Sequence, residues 1–368
     1  MSEAGEPGEL LVVPALLAAV CRLGHEPDAA RSLLRRVLDA VAADPEGDGW
    51  VPAAIGPGPG ADSGSTGLVR TFVSVDANAW VLVLSRMLID SGCDLSSDAA
   101  VLERVADRLV AEPLPVLTPA DVLVRGPCGA GPSQGGAGPV SRLGDAGMGA
   151  LDAPLPAAYA LSSAGAWAAL NACAGRATTG PFAGRATTGP FTGTARLVDG
   201  PGSERCESAA ASVQTHFFHS FVGRRVAPPA YARVPTDGVR TRLVRTVTAS
   251  LGCLLWTGIL DQRPDLVEVT SMHLLGERML TPQGLRSQAC EHPEPTDPDH
   301  RCFPVSPTGT WFAAAAMERR FPQGAALLRA RLVRAKEVGL VVSWGGRTRA
   351  VSPGGPGPVR SPRRSPSR

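Results

Sequence analysis

Glycine and proline interrupt this chain throughout, and they limit how long any regular element can be. The 42 glycines and 34 prolines make up 76 of the 368 residues, about a fifth. A fraction this high predicts long stretches without regular structure. The densest of these stretches are a predicted loop at 56–67 and a predicted linker at 125–150. The chain as a whole is 44% hydrophobic, which is enough to build a substantial core from the remaining segments.

The apolar patterns between these stretches predict an α+β fold that is predominantly helical and contains a small β-sheet. In the N-terminal part, residues 10–44 predict one or two helices, with Asp28 as a capping residue. The valine-rich run 68–84 predicts two strands, and a helix is predicted from Ser97 onwards. A short apolar helix is predicted at 157–173.

The C-terminal part predicts a series of helices. A helix is predicted to begin at Val213, a long one spans 239–260, and another spans 265–280. After an irregular proline-rich loop at 281–309, helices are predicted at 310–316 and 324–338, separated at Phe321–Pro322, with a short strand at 340–344.

These elements predict one body interrupted by an insertion and followed by a tail. Residues 1–124 and 211–344 form the two parts of the body. Residues 125–210 form a long disordered insertion, and 345–368 form a disordered basic tail. The insertion contains the octapeptide GRATTGPF twice, at 175–182 and 184–191, which we interpret as an expanded loop because two short copies cannot build a solenoid.

The charged residues indicate which partners the chain lacks a general affinity for and what kind of genome encodes it. A net charge of +2 gives no general affinity for nucleic acid or anionic membranes. Lys336 is the single lysine against 35 arginines. Arginine can be encoded by G and C alone, so this ratio indicates a GC-rich genome, as in large DNA viruses and actinobacteria.

The eight cysteines are scattered and no signal peptide precedes them, which predicts reduced thiols in a cytosolic or nuclear protein.

One cluster has the residue types of a zinc site. Cys290, His292, His300 and Cys302 form a symmetric C-x-H-x7-H-x-C pattern. Thiolate and imidazole are the ligands that structural zinc prefers, and four of them would complete the site. The one-residue spacing matches no common zinc module, so a polar loop without metal remains the alternative. No other cofactor is predicted.

No catalytic motif is present. The chain has no G-x-S-x-G and no P-loop sequence, and its only lysine lies in a charged helical pattern. His216 and His219 stand beside three phenylalanines, which predicts a buried helix with the histidines at its boundary. Clustering of Cys93, His216 or His273 with a carboxylate in a cleft would favour an enzyme.

The order of several segments resembles the herpesvirus cytoplasmic envelopment protein 1 family, in its alphaherpesvirus branch. The likeness lies in segment order rather than in a catalytic signature, and it touches about half of residues 10–335. The segments are ALLAAVCRLG, RTFVSVDANAWVLVLSRMLIDSGC, HFFHSFVGRR, VRTRLVRTVTASLGCLLW, MHLLGERMLTP and CFPVSPTGTWFAAAAMERR.

This resemblance implies a tegument protein without enzymatic activity. Such a protein would bind a second, palmitoylated tegument protein through an apolar surface, and it would reach membranes only through that partner. It would act in cytoplasmic envelopment and egress, and be found in the virion tegument, the host cytoplasm and Golgi-associated membranes. The helices predicted at 239–260 and 265–280 supply candidate docking residues. These are Leu243, Val247, Leu251, Leu254, Leu266, Val269 and Leu274.

The alternative is a regulatory or nucleic-acid-binding protein from a GC-rich bacterium. It would use the Cys290–Cys302 loop as a structural zinc module and the arginines of the tail for electrostatic binding. An enzyme of unrecognised type is the third hypothesis.

Overall fold

The computed structural model describes residues 10–43, 49–52, 54–55, 75–111, 158–175, 197–198, 201–235, 241–289 and 305–337. The helices in these ranges are α1 (Val12–Arg22), α2 (Pro27–Ala42), α3 (Val75–Asp90), α4 (Ala99–Ala111), α5 (Ala160–Cys173), α6 (Pro201–Phe221), α7 (Ser250–Thr257), α8 (Pro264–Leu275), α9 (Pro307–Met317) and α10 (Pro322–Glu337). The strands are β1 (Leu10–Leu11), β2 (Ala54–Ile55), β3 (Ala158–Tyr159), β4 (Ala232–Pro235), β5 (Thr241–Val244), β6 (Leu280–Thr281) and β7 (Gly284–Leu285).

The strands are short and all of their pairings are antiparallel. β1 pairs with β2, β6 pairs with β7, and the remaining three form a sheet in the order β3-β4-β5. Helices therefore dominate and the sheets are small, which confirms the predicted α+β class.

Helix α5 lies at the centre of the body. Every one of its residues is buried, and most of them are alanine, serine or glycine. Small side chains let neighbouring helices approach closely, and α5 packs against α3, α6 and α7. A helix that is apolar on all sides is expected in such an interior position.

An aromatic cluster connects three of the helices. Trp80 of α3 lies 6.1 Å from Trp256 of α7 and 5.9 Å from Phe312 of α9, measured between ring centroids. Trp256 and Phe312 meet edge to face at 4.9 Å. Aromatic contacts in this range add to the stabilisation from buried area, so the cluster links the N-terminal and C-terminal parts of the body.

The prediction of two strands at 68–84 is wrong for its described part, which belongs to helix α3. The residues from Asp76 to Leu88 are buried on every side of the helix, the polar Asp76, Asn78, Ser85 and Arg86 included, so burial does not alternate along the run. Periodicity cannot distinguish a fully buried strand from a fully buried helix, and the β-branched valines favoured the wrong choice.

The long helix predicted at 239–260 is also wrong. Its first part is strand β5, which pairs with β4 along four residues, and only Ser250–Thr257 is helical. In the segment VRTRLVRTVT, β-branched residues recur at short intervals, as is typical of a strand. Helix α7 then ends at Gly258, whose φ of +85° is a left-handed conformation that glycine adopts readily.

Several element boundaries differ from the prediction by a few residues. Asp28 does not cap α2; Glu26 occupies that position without a side-chain bond, and Asp28 lies in the first turn. Helix α8 ends at Leu275 instead of continuing to 280, and α6 begins well before Val213. The predicted break between α9 and α10 at Phe321–Pro322 is confirmed.

The predicted insertion at 125–210 is too wide, because α5 and the first half of α6 lie inside it and belong to the core. The tandem repeat from 176 onwards, the loop at 56–67, the strand at 340–344 and the tail at 345–368 lie outside the described residues.

Candidate partner-binding surface

Four of the predicted docking residues lie in the interior, which corrects the expectation that they share an exposed face. Leu251 and Leu254 of α7 are buried against the core, and so are Leu266 and Leu274 of α8. Their helical periodicity reflects packing inside the protein. A partner could reach them only if the body opened.

The other three predicted docking residues are partly exposed. Leu243 lies on β5, Val247 follows that strand and packs against the core, and Val269 lies on α8. Leu243 and Val247 therefore belong to the sheet side of the molecule, while Val269 belongs to the outer side of α8.

Large apolar side chains are exposed at few positions. Among the described residues these are Val226, Met272, Leu327 and Val333, and Met272 and Val333 are 63% and 60% exposed. Met272 lies on α8, and Leu327 and Val333 lie on α10. We call Met272, Leu275, Leu327 and Val333 the α8–α10 surface.

A close contact joins the C-terminal end of α8 to the first turn of α10. A Cβ atom built on Gly324 of α10 would stand 2.8 Å from Cδ1 of Leu275 of α8. The leucine side chain therefore rests directly on the glycine. Met272 precedes Leu275 by three residues, and Leu327 follows Gly324 by three, so these two exposed side chains each lie about one helical turn from the contact. Val333 follows Gly324 by about two and a half turns and lies on the side of α10 that faces away from this contact.

Helix α10 is apolar on two of its faces. Ala325, Leu328 and Ala335 are buried and hold the helix against the body. Opposite them lie Ala326, Leu327, Ala330 and Val333, which are all exposed. At about 100° per residue this second stripe covers roughly a third of the helix circumference. A stripe of this kind suits docking of another helix.

Basic side chains border the stripe. Helix α10 contains Arg329, Arg331, Arg334 and Lys336 and a single acidic residue, Glu337. Arg329 pairs with Glu318 through an Nη2–Oε2 distance of 2.6 Å, and Arg331 donates a hydrogen bond to the carbonyl oxygen of Thr281. Desolvation and the neighbouring Arg334 lower the pKa of Arg331. The surface therefore combines an apolar centre with a positive rim.

The structure does not bring the candidate catalytic residues together with a carboxylate. The Cys93 sulfur lies 4.0 Å from the Ser91 hydroxyl, and His216 Nε2 lies 3.2 Å from the Ser220 hydroxyl. His273 Nδ1 contacts the Val269 carbonyl oxygen at 2.8 Å. Each of these partners is a hydroxyl or carbonyl group on the same segment, so among the described residues no carboxylate is seen to orient an imidazole or thiol at these three positions.

His216 and His219 lie where helix α6 passes from the core to the solvent, as predicted. Phe217 and Phe221 between and after them are fully buried, while His216 is half-buried and His219 is exposed. Burial of His216 lowers its pKa, and the positive charges of Arg233 and His219 lower it further.

The predicted zinc ligands Cys290, His292, His300 and Cys302 lie outside the described residues. Within the part of the chain that the structure describes, no three His, Cys, Asp or Glu side chains are grouped as metal ligands.

A charged groove of about 620 Å³ lies beside α2 and the short 3-10 helix Ser96–Asp98. Three of its charged side chains pair with one another. Arg35 donates through Nη1 to Asp98 and Ser97, at 3.2 Å to each, and its Nε lies 3.3 Å from Asp39. The groove is therefore better explained as an ion-pair network than as a ligand site.

The sequence predicts α10 as a helix, but its charged pattern is interpreted only as a solvated face, and its exposed apolar stripe is not predicted. The signal was present in ALLRARLVRA, where apolar residues are too frequent for one face. Apolar residues on both faces of a basic helix predict one face for the core and a second for a partner.

Comparison with known proteins gives a fold likeness and nothing more specific. No family model matches the sequence, and no curated protein matches it. Among solved structures, the chain is similar to a glycosidase variant in complex with glucose, with a TM-score of 0.50 and 14% identity over 91% of this chain and 76% of the other. A second glycosidase variant gives the same TM-score and identity over 90% and 75%. At this identity the likeness concerns the fold alone.

In the described part of the chain, no helix combines the length and apolarity needed to span a membrane.

Proposed function

We propose that this protein is a non-enzymatic viral tegument and assembly protein, which binds a membrane-anchored tegument partner during cytoplasmic envelopment and egress. The observation that carries the proposal is the α8–α10 surface, where Met272 is exposed on α8 and Leu327 and Val333 are exposed on the positively charged α10. An exposed apolar cluster with a polar rim is typical of a protein interaction site. The segment order that resembles the cytoplasmic envelopment protein 1 family supplies the biological setting.

In this proposal the partner carries the lipid. A palmitoylated tegument protein would hold the complex at Golgi-associated membranes, with two acyl chains or one chain and a basic patch, since a single lipid chain binds a membrane only marginally. The partner segment that fits the surface is an amphipathic helix with acidic residues beside its apolar face, since it would meet the arginines of α10. No cofactor is required for this role.

The likeness to glycosidases does not favour hydrolysis by this chain. Glycoside hydrolysis uses two carboxyl groups that flank the scissile bond, roughly 5–10 Å apart. The buried carboxylates Asp90 and Asp98 are paired with Arg86 and Arg35. Asp76 is enclosed in the core near Cys253. Asp76 and Asp90 therefore lie in the core, whereas Asp98 lines the charged groove beside α2, where it is held by its ion pair with Arg35.

Affinity capture of the tagged full-length chain from infected cells tests the proposal. We expect one viral protein to co-purify in a stoichiometric amount and to carry a thioester-linked acyl chain that hydroxylamine removes. Capture of nucleic acid or of transcription proteins, with no acylated viral protein, would contradict it. Release of sugar from glycoside substrates by the purified chain would contradict the non-enzymatic part.

The alternative, a GC-rich bacterial regulatory protein that binds nucleic acid, has one observation in its favour. Helix α10 presents Arg334 and Lys336 on its exposed side, and cations of this kind contact phosphates. Titration of labelled duplex DNA at several salt concentrations tests it. Binding that weakens steeply with salt and is lost in an Arg334→Ser/Lys336→Ser variant would favour this alternative.

A further inference from the structure

Helices α5 and α6 bring two cysteines into contact inside the core. Cys173 is the last residue of α5, and Cys206 lies in the second turn of α6. The two thiols lie close enough together to interact, and the neighbouring residues Ala174 and Ser203 are joined by a hydrogen bond. Cys173 is fully buried and Cys206 is 2% exposed. The two are separated by 33 positions in the chain, so the fold and not the local sequence places them together.

The surrounding bonds fix this arrangement. The Ser203 hydroxyl, one turn before Cys206, donates to the carbonyl oxygen of Ala174, the residue after Cys173, at 3.2 Å. Arg86 donates from Nη1 to the carbonyl oxygen of Ala172, the residue before Cys173, at 3.3 Å. One of these bonds therefore ties the end of α5 to α6, and the other ties it to α3.

The two thiols differ in their chemistry. Hydrogen bonding from Cys173 lowers the pKa of Cys206, while burial and the Asp107 carboxylate oppose this and the adjacent Arg205 guanidinium adds to the lowering. The same hydrogen bond and complete burial raise the pKa of Cys173. Because the thiolate is the reactive form, Cys206 is the group that an oxidant attacks first.

We propose that Cys173 and Cys206 form a reversible dithiol–disulfide pair that locks α5 to α6 under oxidising conditions. Hydrogen peroxide is the class of oxidant, since it is small enough to reach nearly buried sulfur when the helix ends open briefly. The Cys206 thiolate takes up one peroxide oxygen, giving a sulfenic acid and releasing hydroxide. The Cys173 sulfur then attacks the Cys206 sulfur, forms the S–S bond and expels the oxygen as hydroxide. With the two thiol protons, one peroxide yields two waters.

The bridge would close the chain segment between the two helices. Cross-linking residues that far apart reduces the freedom of the unfolded chain and raises the melting temperature, on the order of 5 °C or more for a body of this size. A thiol reductant reverses the change. The proposal is independent of partner binding, since neither cysteine belongs to the α8–α10 surface.

The test is peroxide treatment of the full-length chain, alkylation of the remaining thiols, and tryptic digestion without reductant. We expect a cross-linked species joining peptides 143–176 and 206–224, each of which contains one cysteine. It should be 2 Da lighter than the two peptides together, and reductant should abolish it. Absence of this species, with both cysteines fully alkylated after unfolding, would overturn the proposal.

Single variants separate the two roles. Cys173→Ser should leave Cys206 able to form a sulfenic acid that dimedone traps, while Cys206→Ser should give neither the adduct nor the cross-link. Cys253→Ser removes another buried thiol and serves as the matched control, which should cross-link like the unmodified chain. Dimedone labelling at Cys173 in preference to Cys206 would contradict the assigned order. The melting temperature of each reduced variant checks folding, and the peptide map of the unmodified chain remains decisive if a variant does not fold.

Discussion

Arg86 and Asp90 form an ion pair that is almost completely removed from solvent. Arg86 Nε donates to both carboxylate oxygens of Asp90 at 3.0 Å, and the two side chains are 0% and 1% exposed. Burial raises the pKa of Asp90, opposed by its bonds to Arg86. Because Arg86 also reaches the carbonyl oxygen of Ala172, the pair connects α3 to the end of α5. It therefore fixes two helices at the centre of the fold.

Replacement of Asp90 by Asn should be strongly destabilising. The substitution leaves the Arg86 guanidinium buried beside a neutral partner, and breaking a buried pair in this way costs about 3–5 kcal/mol of unfolding free energy. Urea denaturation measures the change. The double variant Arg86→Met/Asp90→Leu removes both charges and should recover most of the loss; a double variant as unstable as Asp90→Asn would show that the charges themselves are needed.

Asn78 holds an otherwise irregular segment against the core. Its Oδ1 accepts from the Val51 N–H and its Nδ2 donates to the Gly49 carbonyl oxygen, both at 2.9 Å. Asn78→Ala leaves these buried backbone groups without partners, which costs about 1–3 kcal/mol for each group. Thermal denaturation should show a clear loss of stability. Ser85→Ala on the same helix is the control, because the Ser85 hydroxyl bonds only one turn back, to Val81. Equal losses in the two variants would contradict the role of Asn78.

Gly252 permits the closest approach of α7 to α9. A Cβ there would stand 2.7 Å from the Gly309 carbonyl oxygen and 2.8 Å from the backbone nitrogen of Ala313. Backbone atoms cannot move aside cheaply, so Gly252→Ala should cost about 1–3 kcal/mol. Gly24→Ala is the matched control, since a Cβ at Gly24 meets no atom within 4 Å. A neutral Gly252→Ala variant would mean that the two helices separate easily.

His216 should make the protein less stable in mild acid. Burial, Arg233 and His219 lower its folded pKa below the ordinary value, so the unfolded chain binds the proton more readily than the folded chain. The contribution of neutral His216 to stability is therefore complete above about pH 6.5 and is lost as the pH falls through the lower folded pKa. Urea midpoints measured from pH 7.5 to 5 should fall less steeply in His216→Gln than in the unmodified chain. His219→Gln, at an exposed position, is the comparison, and identical slopes for His216→Gln and the unmodified chain would exclude this residue as the source.

The sequence predicted the helical class because most helices have an apolar stripe or a proline boundary, as at Phe321–Pro322. It failed where burial was uniform. Around Trp80 the run of valine and leucine has no polar side, so the spacing of apolar residues cannot distinguish a helix from a strand. Packing against the neighbouring helices determines that the run forms α3. It failed again at Thr241–Val244, where pairing with β4 selects the strand.

The candidate surface was hard to predict for a related reason. An apolar stripe has the same pattern whether it faces the core, as at Leu251 and Leu254, or faces solvent, as at Leu327 and Val333. Distinguishing them requires the arrangement of the helices. The one sequence signal for the exposed stripe is the pattern of α10, a basic helix with apolar residues on both faces. Packing against the core uses only one of those faces, so the other is left for a partner.

The most direct test of the central claim is quantitative co-purification of the acylated partner with surface variants in infected cells. Leu327→Glu/Val333→Glu places two charges on the α8–α10 surface at exposed positions, and Val226→Glu places a charge at an exposed apolar position outside it. We predict that the double variant folds with an unchanged melting temperature and recovers at least tenfold less partner, a change of about 1.4 kcal/mol or more. The Val226→Glu control should recover the normal amount. Normal recovery by a correctly folded double variant would contradict the claim that this surface binds the partner.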